Sequence, residues 1–92
     1  MTTPTERTRA VVWAGGFLIQ LARDERLPLD IRQRAIEVAR HFPTVEDVSH
    51  MTAFQHPVGL GIGLAAPGEV VSWGQGLRFG PLRRSTRLRW PE

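Results

Sequence analysis

The stretch "TPTERTRAVVWAGGFLIQLAR", residues 3–23, decides the fold. It opens with the pattern of a capping box, in which the Thr3 hydroxyl accepts from the N–H of Glu6 and the Glu6 carboxylate reaches back to Thr3. Pro4 occupies the first helical position, where a missing N–H costs nothing. Apolar residues then recur at helical spacing, which predicts a helix over about residues 4–24. They are Ala10, Trp13, Ala14, Phe17, Leu18 and Leu21.

Two adjacent glycines, Gly15 and Gly16, interrupt this helix. Each costs about 1 kcal/mol relative to alanine in an exposed helix interior, so a compensating interaction is expected. The favoured explanation is a second helix that crosses here and uses the space left by the missing side chains. A kink, or a ligand that approaches the backbone, are the alternatives.

A second helix follows a break at Pro28. Asp30 is a good N-cap for "IRQRAIEVARHF", residues 31–42, in which apolar residues again share one face. Pro43 predicts its end at about His41, because a residue before proline avoids helical geometry. The two helices are expected to form an antiparallel hairpin.

A third, short helix is predicted at about residues 44–54, where Thr44 and Asp47 repeat the capping pattern. The composition changes at Pro57, since seven of the nine glycines lie between residues 59 and 80. We therefore expect a mainly α protein: a small helical domain, residues 1–56, that consists of the hairpin and the short third helix. Residues 57–92 form a Gly-rich, Arg-rich C-terminal segment that is irregular or weakly β, either mobile or a short hairpin.

The predicted core is the shared apolar face of the hairpin. Its members are Trp13, Phe17, Leu18, Leu21, Ile31, Ala35, Val38 and Phe42. At about 2 kcal/mol for each large buried side chain, offset by chain entropy, such a core leaves a thin stability margin. Self-association would relieve that deficit.

Composition excludes several classes of protein. No cysteine is present, so disulfides, thiolate zinc sites and a cysteine nucleophile are excluded. No stretch approaches the roughly 20 apolar residues needed to cross a bilayer, and the N-terminus lacks the apolar part of a signal peptide. We expect a cytoplasmic protein with no membrane association. A chain of 92 residues has little material for both a core and a catalytic pocket.

The motifs that carry enzyme chemistry are also missing. The segment "GLGIG", residues 59–63, lacks the strand before it and the helix after it that a dinucleotide fingerprint requires. The histidines, His41, His50 and His56, fit no compact helical metal motif. No serine lies in a nucleophile elbow. The sequence therefore predicts a non-enzymatic protein with no catalytic residue, no metal site and no cofactor.

The most suggestive stretch is the basic tail. Residues 78–92 hold five arginines against one acid, a net charge of +4, while residues 1–77 hold seven arginines against eight acids, a net charge of −1. Arginines interleaved with aromatic rings suit phosphate contacts and base stacking, and they also suit an acidic protein surface. Solubility alone is the third explanation. The candidate contact residues are Arg83, Arg84, Arg87, Arg89 and Trp90.

The first half also resembles a family of short, uncharacterised bacterial proteins. The resemblance covers about residues 4–50 and rests on "PTERTRAVVWAGGFLIQLA" and "LPLDIRQRAIEVARHFPT". It implies a small helical unit and no particular activity. After about residue 54 this chain departs from the family pattern.

From the sequence we expect a small non-enzymatic interaction module, which binds another protein through an apolar helix face or forms a homo-oligomer that completes its own core. The alternative is a nucleic-acid-binding accessory protein that uses the Arg-rich tail.

Overall fold

Three helices make up the regular structure of the residues that the structure describes. The structure, a computed structural model, describes residues 3–53, 64, 67 and 76–92. Helix α1 spans Pro4–Arg23, α2 spans Leu29–Ala39 and α3 spans Val45–Ala53. Helices α1 and α2 pack against each other across the short connection 24–28. No strand occurs in the described part of the chain, so the prediction of a mainly α protein with a helical hairpin and a short third helix is confirmed.

The N-terminus of α1 has the predicted capping box. The Thr3 hydroxyl accepts from the N–H of Glu6 at 3.2 Å, and the Glu6 carboxylate accepts from the N–H of Thr3 at 3.3 Å. Pro4 stands at the start of the helix, as expected from its fixed φ. The helix ends at Arg23, one residue before the predicted boundary.

Helix α2 differs from the prediction at both ends. Its N-cap position is Pro28, with no side-chain cap, so the assignment of Asp30 as N-cap is wrong. Asp30 lies inside the first turn, where its carboxylate interacts favourably with the helix dipole. The helix ends at Ala39 rather than at about His41. The N–H of His41 donates to the carbonyl of Val38, a three-residue bond that tightens the last turn as the chain approaches Pro43.

Helix α3 begins with a second reciprocal cap, as predicted. The N–H of Asp47 donates to the Thr44 hydroxyl at 3.1 Å, and the N–H of Thr44 donates to the Asp47 carboxylate at 3.0 Å. Val45 packs with Val12 of α1 in one buried cluster, and Val48 is fully buried. Helix α3 is thereby held to the hairpin through its first turn.

The core lies on a different face of the hairpin from the one predicted. Trp13 and Phe17 are 46% and 54% exposed, and Ile31 and Val38 are also exposed, so their assignment to the core is wrong. Of the predicted set, only Ala35 is fully buried, while Leu18, Leu21 and Phe42 are half-buried. Among the described residues, the buried hydrophobic side chains that form the core are Val12, Ile19, Ala22, Ala35, Ile36, Ala39, Val45, Val48 and Leu82.

The C-terminal residues 76–92 explain why the core lies on this other face, because they pack on the side of α1 that carries Gly15 and Gly16. A Cβ atom on Gly15 would stand 2.9 Å from Leu82 Cβ, and one on Gly16 would stand 2.9 Å from Leu77 Cδ1. The two glycines therefore permit a close approach, as predicted, but the approaching chain is an irregular segment and not a crossing helix. Gly80, at φ +78°, takes the left-handed conformation that glycine tolerates and turns the segment between Leu77 and Leu82.

The segment is also bonded to α3. The N–H of Val45 donates to the carbonyl of Leu82 at 2.9 Å, and Leu82 is only 2% exposed. Within residues 76–92 the chain is irregular, as one of the two predictions for this region has it. The alternative of a short hairpin concerns mainly residues 57–75, which lie outside the described residues except for Leu64 and Pro67.

Candidate functional site: an apolar helix face and an arginine-lined cleft

The first candidate surface is the apolar face of α1, defined here by Ala10, Trp13, Ala14 and Phe17. These residues line a groove of about 590 Å³ together with Gln20, Gly76 and Leu77. The guanidinium of Arg9 lies 5.7 Å from the centroid of the Trp13 ring, a cation–π distance. Two large rings stand beside two alanines, so the face alternates ridges and hollows.

The second candidate surface is a cleft of about 840 Å³ on the opposite side of α1, between the hairpin and the C-terminal residues. Four arginines line it: Arg23, Arg32, Arg87 and Arg89. We call it the arginine cleft. Apolar residues such as Ile19, Ile36 and Leu88 contribute to its wall, and Glu25 and Glu92 are the two acids in its lining. Four cations against two anions give the arginine cleft an excess of positive charge.

Two arginines of the cleft are held by neutral partners. Arg23 donates through Nη2 to the carbonyl of Arg87 at 3.4 Å, and its guanidinium lies 4.8 Å from the centroid of the Phe79 ring. Arg32 donates through Nε to the carbonyl of Ala22 at 3.0 Å. Backbone carbonyls and an aromatic ring fix the direction of these side chains without neutralising their charge.

Trp90 joins the arginines in the lining of the cleft and is 40% exposed. The guanidinium of Arg40 lies 5.3 Å from the centroid of its ring. The next residue, Pro91, is buried, and its carbonyl accepts from Gln33 Nε2 at 3.2 Å. Trp90 is therefore anchored against α2 and still presents part of its ring to the cleft.

The structure divides the five predicted contact residues into two groups: three lie in the arginine cleft, and Arg83 and Arg84 lie outside its lining. Arg83 is exposed, and its N–H donates to the Thr86 hydroxyl at 2.9 Å. Arg87, Arg89 and Trp90 come together in the arginine cleft. Arg84 lies elsewhere, because its Nη2 forms an ion pair with Asp47 Oδ1 at 3.1 Å. Its backbone N–H donates to Glu46 Oε1 at 3.0 Å. Arg84 thus ties the C-terminal residues to α3, a structural role that the sequence did not reveal.

Sequence reasoning missed Arg23 and Arg32 as members of the same cleft. They lie on α1 and α2, and only the packing of the C-terminal residues brings them to Arg87 and Arg89. No sequence signal marks them, because charged residues on the outer faces of two helices are the common pattern for solvated surfaces.

Three acids near helix ends, Asp24, Glu46 and Asp47, have lowered pKa values. Hydrogen bonds from Arg26 lower the pKa of Asp24 from 3.8 to about 2. The N–H of Thr44, followed by the guanidinium of Arg84, lowers the pKa of Asp47 from 3.8 to about 2. Burial raises the pKa of Glu46, but the N–H groups of Arg84 and of Glu46 itself outweigh it, so the net shift is downward. Both carboxylates of α3 that Arg84 contacts are thus ionised at neutral pH.

Two features are absent from the described residues: a cluster of metal-ligating side chains and a membrane-spanning helix. No group of three or more histidine, aspartate or glutamate side chains in them is close enough to hold a metal ion. Among the helices described, none has the length and apolar character needed to cross a membrane. No family model, no curated protein and no solved structure matches this chain.

Proposed function

We propose that this protein is a non-enzymatic interaction module that binds a second polypeptide through the apolar face of α1. The observation that supports this proposal is that Trp13 and Phe17 are about half exposed beside an apolar groove. Large aromatic rings that stand beside a pocket are the typical anchors of protein interfaces, where most of the binding energy concentrates. The described lining residues of the two candidate surfaces include no serine, no histidine and no aspartate.

The occupant we propose is a second copy of the same chain. Consider an antiparallel pair of α1 helices whose two-fold axis passes between residues 13 and 14. Phe17 of one copy then faces Ala10 of the other, and Trp13 faces Ala14, so that each ring meets a small residue. One axis satisfies both pairs, and a symmetric interface requires that kind of self-complementarity.

The charges on α1 are compatible with this register. Glu6 faces Leu21 of the other copy, Arg7 faces Gln20, and the positions of Arg9 and residue 18 face each other. No two like charges oppose each other in these pairs, so the register carries no repulsion of the kind that excludes wrong partners. Burial of two half-exposed rings per copy would also add the apolar area that a domain of this size lacks.

The experiment measures the oligomeric state by sedimentation equilibrium across the micromolar to millimolar range. Phe17→Glu should raise the dimer dissociation constant by at least about tenfold, because it removes an interface anchor and buries a charge. Val38→Glu is the matched control: Val38 is equally exposed, at 51%, but lies on α2 away from this face. It should leave the dimer intact.

A residue swap tests the register itself. Ala10→Phe alone and Phe17→Ala alone should both weaken the dimer, the first by a clash of rings and the second by an unfilled hollow. The double variant, Ala10→Phe with Phe17→Ala, restores a ring opposite a small residue and should recover most of the affinity. If the chain remains monomeric at all these concentrations, the proposal of a second copy as occupant is wrong. The partner of this face would then be a different protein.

A further inference from the structure

We infer that the arginine cleft is a binding site for single-stranded nucleic acid, in which guanidinium groups contact phosphates and the ring of Trp90 stacks on a base. The cleft lies on the side of α1 opposite Trp13 and Phe17, so this inference does not rest on the self-association proposed above. It also differs from a simple basic tail, because half of the arginines come from the helical hairpin.

The arginine cleft has an excess of positive charge that is available to an anionic ligand. In the described residues, none of Arg23, Arg32, Arg87 and Arg89 forms an ion pair, and the ion pairs seen there are Arg26 with Asp24 and Arg84 with Asp47. Four guanidinium groups in a lining that holds only two carboxylates, Glu25 and Glu92, leave the cleft with unbalanced positive charge. A phosphate backbone would balance that charge and release counterions into the solvent, which drives nucleic-acid binding.

The site is also organised before any ligand arrives. Arg23 is fixed by the carbonyl of Arg87 and by the Phe79 ring, and Arg32 by the carbonyl of Ala22. Each guanidinium has five N–H donors, so one bond to a carbonyl leaves the others for a phosphate. A side chain that is already oriented loses less conformational entropy when it binds.

Trp90 decides the class of ligand. An acidic peptide or inorganic phosphate would use only the cations, whereas a nucleotide also has a planar base that stacks on an indole ring. The cleft, at about 840 Å³, lies within the size range of ligand sites. Bases of a duplex are already stacked on each other and cannot reach Trp90. The combination of cations and an exposed ring therefore favours a single strand.

The test is a fluorescence-anisotropy titration with a labelled, mixed-sequence single strand of about 12 nucleotides, within the range of single-strand site sizes. The variant Arg87→Gln/Arg89→Gln should lose at least about tenfold in affinity. Its control is Arg34→Gln/Arg83→Gln, which removes the same charge at exposed positions outside the cleft lining. The control should lose less than about threefold.

The salt dependence gives a second readout that a merely structural effect would not produce. Each phosphate contact in a single strand contributes about 0.7 to the slope of log affinity against log salt. The cleft variant should therefore flatten the slope by about 1.4, and thermal melts should show that both double variants remain folded. Equal losses of affinity in the two double variants would overturn the inference, because binding would then follow net charge alone.

Substitution of the ring and competition complete the test. Trp90→Leu should weaken binding about tenfold, while Trp90→Phe, which keeps a stacking surface, should recover most of the loss. Unlabelled single strand should compete far better than the duplex of the same sequence or than polyglutamate. If polyglutamate competes equally well, the ligand is an acidic polypeptide and the inference is wrong. Absence of binding at low salt would also overturn it.

Discussion

Replacement of Gly15 by alanine tests the packing of the C-terminal residues on α1. The added methyl carbon would stand 2.9 Å from Leu82 Cβ, whereas carbon atoms pack best at about 3.5–4.0 Å. Leu82 cannot simply rotate away, since a Cβ atom moves only with its backbone, and the Leu82 carbonyl is bonded to the N–H of Val45. We therefore expect the C-terminal residues to be displaced.

The magnitude follows from two opposing effects. Alanine in place of glycine gains about 1 kcal/mol of helix propensity. Overpacking of a tight contact costs about 1–3 kcal/mol, and the strained bond to Val45 adds to it. We expect Gly15→Ala to lower the free energy of unfolding by about 1–2 kcal/mol, with a fall in Tm of about 4–8 °C per kcal/mol for a domain of this size.

The assay is thermal unfolding followed by circular dichroism, with two comparisons. Gly16→Ala should cost less, because its nearest contacts are the mobile ends of Leu77, although the Gly80 carbonyl oxygen at 3.1 Å adds some strain. Gly76→Ala meets nothing within 4 Å and should leave Tm nearly unchanged. A rise in Tm for Gly15→Ala would refute the reasoning, because helix propensity would then act without a packing penalty.

The remaining predictions concern the helix caps. The pKa of Asp47 is lowered from 3.8 to about 2, so its ionised form stabilises the fold fully above about pH 4 and loses that effect as the pH falls through about 2. Urea midpoints measured between these values should decline less for Asp47→Asn than for the unaltered protein or Asp30→Asn, and parallel curves would contradict the assignment. Thr3→Ala should cost about 1 kcal/mol, seen as a lower Tm that Thr5→Ala, at an exposed position, does not share; equal melts would show that the capping box does not contribute.

The sequence predicts the positions of the helices better than it predicts which residues form the core, because the signals for helix ends are local. The caps at Thr3 and Thr44 depend on residues three positions apart, so the sequence alone locates them. The buried face of α1 could not be derived in the same way. Apolar residues surround more than half of this helix, and Val12 and Ile19 form a second stripe beside that of Trp13 and Phe17. Periodicity finds both stripes but does not rank them.

The choice between the stripes depends on residues far along the chain. The C-terminal residues settle where Gly15 and Gly16 allow their backbone to approach, and they cover the stripe that contains those glycines. The same limit applies to the arginine cleft. Arg87, Arg89 and Trp90 could be selected from the composition of the tail, but Arg23 and Arg32 become their neighbours only in three dimensions.

The contact between α1 and Leu82 has a further consequence, for the speed of folding. Helical proteins usually fold quickly, because their contacts join residues that are close in sequence. Here Gly15 meets Leu82, which lies 67 positions later in the chain. The entropy of closing so long a loop must be lost before this contact stabilises anything. We therefore expect the helices to form within microseconds and the docking of Leu82 to limit the rate at which the native state is reached.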